Sequence, residues 1–233
     1  MYYFGNFYIV VLLVWVVVIK AIFFDFDGTI SDAKFVALRS ITKTLNEFGY
    51  EFNDKRIMNL LGVKMERMLE LLGLDRLNIG RVKNKFYKYF TFAVLMNGVK
   101  PCVSLKPLWM IKKKDKLPLF IISNSKSSFL QISIRKLKIE GLFKKIYGAE
   151  KFDLKDEMLR ILFKRMRIKP SEAVYVGDRF SDVRFAKKAG CVSVAIHNRC
   201  SWSSLEKIEK EKPDYIINDF YGLRKILKKL NKN

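Results

Sequence analysis

"AIFFDFDGTI", Ala21 to Ile30, is an apolar run broken by two aspartates one residue apart, Asp25 and Asp27. The residues ahead of Asp25 predict a short buried strand, and Gly28 predicts a tight turn after it. Asp27 taken alone is an ordinary "DG" turn residue. Asp25 is harder to dismiss. It stands between Phe24 and Phe26, where a carboxylate is costly to bury without strong partners. A strand that ends this way needs a reason for its charge.

The pattern downstream supplies one. From Ala33 to Phe48 the apolar residues Leu38, Ile41, Leu45 and Phe48 recur at helical spacing, with Gly49 as the stop. Further helices are predicted over Asp54–Leu61, Lys64–Leu72 and about Asn78–Met96, so residues 33–97 read as nearly all helix. After Pro101 the pattern alternates. A helix near Leu105–Lys114 leads to the apolar strand "LPLFIISNS", then a helix from about Ser127 to Lys138 and a short strand in "IYGAEKFD". A helix running to Met166 leads to "SEAVYVGDRFSD", followed by a helix ended by Gly190 and two more strands, "CVSVAI" and "PDYIIND". Asp32 and Asp153 are expected to cap the helices that follow them. Strands alternating with helices imply an α/β fold, a parallel sheet covered on both faces.

Three of these strands end in polar residues: Asp25 with Asp27, Ser123 with Asn124, and Asp178 with Asp182. In an open parallel sheet such ends line one crevice, where ligands bind. Each group has a bland reading on its own, as a turn, a satisfied hydroxyl or a cap. Together, in one positional role, they form a candidate site.

The order "DFDGT", "IISNS", a lysine, then "VGDRFSD" resembles the haloacid dehalogenase-like hydrolases, over nearly the whole chain from Lys20 onward. The first and last motifs are specific as a pair, and the middle two are weak alone. The helical insert is similar to the cap of the phosphoglycolate-phosphatase-like branch. The resemblance implies a Rossmann-like doubly wound core from residues 20–32 and 98–233, with an inserted all-helical cap domain at 33–97. It implies a Mg²⁺-dependent phosphomonoester hydrolase acting on a small phosphorylated metabolite through an aspartyl-phosphate. Asp25 would be the nucleophile, already ionised and in no need of a base. Asp27 would protonate the leaving alkoxide and then activate water, a role that a raised pKa serves. Asp25, Asp178 and the backbone carbonyl of Asp27 would hold Mg²⁺, with Asp182 in support. Ser123, the backbone N–H of Asn124 and a lysine would bind phosphoryl oxygens, and Gly28 would allow close backbone approach. That lysine is assigned to Lys155, in the first turn of its helix, with Lys151 as the rival; the family's usual "KP" pair is absent here. A β-phosphoglucomutase-like phosphotransferase shares every core motif and stays open. A non-catalytic polyanion-binding protein on the same scaffold is the third reading. The substrate is not legible, because cap helices carry no sequence code and phosphoglycolate is only the branch's namesake. Cap closure over the crevice is expected.

Composition narrows the classes. The chain has 233 residues, half of them hydrophobic, and a formal charge of +22. That charge is spread along solvated helix faces rather than gathered into one arm, so a nucleic-acid partner is not expected. A single histidine, His197, excludes a multi-histidine metal site. Cys102, Cys191 and Cys200 form no CxxC pair, which fits a reduced, cytoplasmic setting. Trp109 and Trp202 read as packing residues. The apolar extension at 1–19, with "FYIVVLLVWVVVI" from Phe7 to Ile19, has three readings. It is an extra strand or tail, a membrane anchor, or sequence upstream of a start near Val17 or Val18. The lack of a linker between it and the first strand speaks against the anchor, and the third is preferred, because a valine codon can serve as a start and "VIKAIFFDFDGT" is a sensible beginning for a soluble domain.

Overall fold

The fold grows from β1 (Ala21–Phe24), which is buried along its whole length. Its side chains alternate between two apolar layers. Ile22 and Phe24 pack into one, Ala21 and Phe23 into the other. A strand buried on both faces reads as a continuous apolar run, which is why "AIFF" lacks polar alternation. The computed structural model describes residues 18–231.

Beyond β1 comes β2 (Ser31–Asp32), then four helices, α1 (Lys34–Glu47), α2 (Asp54–Leu60), α3 (Met65–Leu72) and α4 (Arg76–Asn97). β3 (Lys100–Pro101) brings the chain back, and its Lys100 lies antiparallel to Asp32 in β2. Alternation then sets in: α5 (Lys106–Lys113), β4 (Leu119–Ile122), α6 (Ser127–Lys136), β5 (Lys145–Tyr147) and α7 (Lys155–Met166). It continues through β6 (Ala173–Gly177), α8 (Phe180–Ala189), β7 (Val192–Ile196), α9 (Leu205–Glu209), β8 (Tyr215–Ile217) and α10 (Phe220–Leu230).

The sheet has six parallel strands in the order β5-β4-β1-β6-β7-β8. The chain builds outward on one side of β1 and then crosses to the other. The reversal at β1 opens a crevice beyond the strand ends, so β4, β1 and β6 share one binding edge. The expected α/β doubly wound core is what forms.

The insert is not a separate apolar body. One cluster runs from Ile22 and Phe24 through Phe129 of α6 into Ile41, Met68, Phe86 and Phe90 of the insert. Phe90 stacks on Phe129 with ring centroids 4.0 Å apart.

Two expected caps are corrected. Asp32 does not cap α1, whose first flanking residue is Ala33 with no side-chain cap. Asp32 is drawn into β2 instead, and its carboxylate faces Arg199 at 3.7 Å. Asp153 does not cap α7 either; Leu154 holds that position, and the exposed Asp153 side chain faces Lys64 at 3.8 Å. In both cases another residue, Ala33 or Leu154, holds the position that flanks the helix start. Asn53, Asp75 and Asp219 cap instead at α2, α4 and α10, accepting from the N–H groups of Lys55 at 2.7 Å, Leu77 at 3.1 Å and Gly222 at 2.9 Å. Of the apolar extension, only Val18 and Ile19 lie among the described residues; Ile19 is buried, and its N–H donates to Asn231 Oδ1 at 2.8 Å. Among the described residues no helix is long and apolar enough to cross a membrane.

Candidate active site

β1 keeps its ladder one residue past its end: the Asp25 N–H donates to Val176 O at 2.9 Å. That bond fixes Asp25 against β6, while Phe26 turns back into the core. The chain then reverses at Gly28, which has φ +85°. A Cβ there would stand 2.5 Å from Asp178 Oδ2 and 2.7 Å from Trp202 Cδ1, so only glycine fits both the conformation and the space. This turn presses the first motif onto the third.

Each aspartate is held differently. Asp25 Oδ1 accepts from the Phe26 N–H at 2.7 Å, and its Oδ2 pairs with Lys155 Nζ at 2.8 Å. Asp178 Oδ1 accepts from the Thr29 hydroxyl at 2.9 Å and Oδ2 from the Trp202 N–H at 2.7 Å. Asp182 Oδ1 pairs with Lys155 at 2.9 Å and accepts from the Tyr175 hydroxyl at 3.2 Å; its Oδ2 accepts from the Arg179 N–H at 3.1 Å. Asp27 Oδ2 accepts from the Ser125 hydroxyl at 2.6 Å, and its buried Oδ1 has no partner. Lys155 therefore joins Asp25 to Asp182 at the start of α7, whereas Lys151 is exposed on a 3-10 turn.

Ser123 is buried at the end of β4, its N–H donating to Tyr147 O at 3.0 Å. The neighbouring Asn124 sends its side-chain amide to Gly62 O at 2.8 Å, in the loop between α2 and α3. All eight expected site residues, Asp25, Asp27, Gly28, Ser123, Asn124, Lys155, Asp178 and Asp182, thus meet at one edge of the sheet. Trp202 is more than packing, since its N–H holds Asp178 and its ring lies against the Gly28 turn. Thr29, Ser125, Tyr175 and Trp202 were missed. Ser125 could have been found as the third polar residue of "SNS". Tyr175 sits inside an apolar strand and Trp202 in an aperiodic loop, so neither carried a signal.

The charges explain one another. Burial pushes Asp27 up to about 7; the Ser125 hydrogen bond restrains the rise and the Asp25 charge adds to it. Burial also raises Asp178, to about 8, with Asp182 and Asp25 repelling it further. Asp25 is raised by burial and by Asp182 against the pull of Lys155. Burial alone would drain the charge of Lys155, but Asp182 and Asp25 outweigh it and hold its pKa above the ordinary value. One ammonium thus faces several buried carboxylates, and the cluster lacks positive charge. Donor oxygens of Asp25, Asp178 and Asp182 lie within 4.8 Å of one another. An all-carboxylate set of this kind fits a hard divalent cation. The Asp27 carboxylate is not in that group.

The cavity above these residues is roofed by the insert. Ala37 of α1, Met65 and Met68 of α3, and Phe86, Tyr87 and Phe90 of α4 face Asp25, Asp27, Ser123 and Asn124.

Comparison with known proteins agrees with this architecture. Residues 22–196 match the haloacid dehalogenase-like hydrolase family. The chain is 26% identical to a phosphoglycolate phosphatase of Aquifex aeolicus, over 89% of this chain and 96% of that one. It is 28% identical to a glyceraldehyde 3-phosphate phosphatase of Methanocaldococcus jannaschii, over 92% of this chain and all of that one (100%). The fold matches that of the haloacid dehalogenase-like protein SP0104 of Streptococcus pneumoniae with a TM-score of 0.76, at 22% identity, over 89% of this chain and 98% of that one. The match takes in both aspartate-bearing strand ends, and the chain belongs to the haloacid dehalogenase-like hydrolase family.

Proposed function

We propose that this chain hydrolyses small phosphate monoesters through an aspartyl-phosphate formed on Asp25. The observation that carries the reading is the unequal treatment of two neighbouring aspartates. Asp25 is paired with an ammonium, whereas Asp27 has only a hydroxyl partner and a pKa near neutrality, about 7. One is equipped to attack and the other to hold a proton.

A carboxylate oxygen of Asp25 attacks phosphorus, and the bond from phosphorus to the leaving alkoxide breaks. Asp27 gives its proton to that alkoxide. The resulting Asp27 carboxylate then takes a proton from water, and the hydroxide displaces Asp25 from phosphorus. Phosphate and an alcohol leave, and both aspartates return to their starting states. Lys155 balances charge on the phosphoryl oxygens, Ser123 and the Asn124 N–H orient them, and Asp182 holds Lys155. Asp25, Asp178 and the Asp27 carbonyl would hold Mg²⁺, which would screen the repulsion between carboxylate and phosphate. Residues 33–97 act as a cap domain that excludes water.

The test is phosphate release from p-nitrophenyl phosphate by the full chain. Activity should require Mg²⁺, vanish in EDTA, and fall by about 10⁴-fold or more in Asp25→Asn. Activity retained by Asp25→Asn would refute the aspartyl-phosphate. A phosphorylated isomer in place of free phosphate would identify a phosphotransferase.

A further inference from the structure

Folding gathers a charge that the sequence spreads. The six strands of the main sheet are parallel, so all start on one edge, the edge away from Asp25. The helices between them run back, so α5 to α10 end on that same edge. Each of these core helices has basic residues in its last turn, among them Lys113, Lys136, Lys164, Lys188 and Lys229. The helices of the insert, α1 to α4, have none there. The attraction of a helix C-terminus for cations acts on both sets alike, so it does not explain the split.

The turns beyond the helices add a second observation. Lys116, Lys138, Arg167 and Lys212 follow α5, α6, α7 and α9, and all four are exposed with φ between +50° and +57°. Glycine is favoured in that left-handed conformation, because a Cβ crowds the backbone there. Gly190 fills the corresponding turn after α8, with φ +79°. Among the described residues no other non-glycine residue has a positive φ. The edge thus keeps cations where the backbone favours glycine. Of its acids, Asp115, Glu172 and Glu211 are paired with Arg224, Lys20 and Arg184, and Glu140, Glu209 and Asp214 fall far short of balancing the rest.

We propose that this edge docks on an anionic lipid surface, with the crevice over Asp25 facing away from it. A broad rim of exposed cations suits a plane of headgroups, whose attraction adds up over every lysine or arginine within a Debye length. What enters the edge favours lipid over nucleic acid. The chain reaches β1 through the exposed Val18 and through Ile19, whose N–H meets Asn231 at the end of α10. No residue from Met1 to Ile19 is charged, and Phe7 to Ile19 is strongly apolar. Such a sequence gains nothing beside a phosphate backbone, whereas apolar residues and a polybasic patch strengthen each other's hold on a bilayer. The docked protein stays open to dissolved phosphate esters, since its site lies at the opposite ends of the strands.

The test is co-sedimentation of the full chain with vesicles of phosphatidylcholine, with and without about 30% phosphatidylglycerol. Anionic vesicles should be bound at least about a hundredfold more tightly at low salt, and the preference should collapse by about 0.5 M NaCl. Lys116→Gly, Lys138→Gly, Arg167→Gly and Lys212→Gly, made together, remove charge and suit the backbone, so the melting temperature should hold or rise. Anionic-vesicle binding should nevertheless fall about fivefold per charge, several hundredfold in all. The same loss of charge on the insert, by Lys55→Gln, Arg76→Gln, Arg81→Gln and Lys88→Gln, should leave binding within about threefold. A glycine variant that binds like the unchanged protein, or an insert variant that loses as much, overturns the proposal. Equal binding to both kinds of vesicle overturns it in favour of a purely apolar contact. Binding to duplex DNA with none to vesicles overturns it in favour of a nucleic-acid partner.

Discussion

The floor of the cavity and its roof are built from different materials. The floor comes from the ends of β4, β1 and β6 and holds its side chains by hydrogen bonds. Both oxygens of Asp25, Asp178 and Asp182 have partners. The roof comes from α1, α3 and α4 and is held by packing, from Met68 and Phe86 to the stack of Phe90 on Phe129. Hydrogen bonds fix atoms to a fraction of an ångström, and their loss shows in rate. Packing fixes volume, and its loss shows in stability.

Asp27→Asn tests the floor most sharply after Asp25. The amide keeps the volume and can still face Ser125, but has no acidic proton to give. Turnover should fall by about 10³-fold with the melting temperature little changed. A melting temperature that fell together with the rate would make Asp27 a structural residue. Leu69→Ala, in the buried packing of α3 but outside the cavity lining, is the counterpart in the roof. It should cost about 3 kcal/mol of stability, read as a melting temperature lower by about 10 °C, while kcat at low temperature stays within about threefold. A large loss of kcat without a loss of stability would break the contrast.

The smallest effect concerns pH. An unfolded chain releases a proton from Asp27 near the ordinary 3.8, and the folded chain releases it near 7. Asp178 is displaced in the same direction. Between those values the folded state binds more protons, so stability in EDTA should fall as pH rises from about 4 through 7. Mg²⁺ should flatten that fall, since the cation replaces the protons as counter-charge. A melting temperature in EDTA that rose over this range would show that the cluster is not under charge stress.

The two regions also differed in how much their residues disclosed. Asp25 and Asp178 were legible because each interrupts an apolar strand, and a buried charge there demands a partner. The helices of the insert were legible from their apolar spacing, but their cavity was not: an amphipathic period shows which face is buried and not whether that face meets a core or a ligand. Met68 and Phe86 face both. The partners of the aspartates, Thr29, Ser125 and Trp202, lie in turns and loops where no period constrains them. Asp32 and Asp153 misled because capping is a local signal that does not see the fold: Asp32 pairs with Lys100 in the β2–β3 ladder, and Leu154 holds the position flanking α7.

The sheet order carries a consequence for how the protein is made. β1 is among the first strands to leave the ribosome, yet its two neighbours are β4 and β6. The hydroxyl of Thr29 meets Asp178 across 149 residues of chain. Until those later strands exist, Asp25 is a carboxylate on an unpaired apolar segment with nothing to attack and nothing to hold it. Assembly of the proposed centre thus waits for β6, most of the way along the chain.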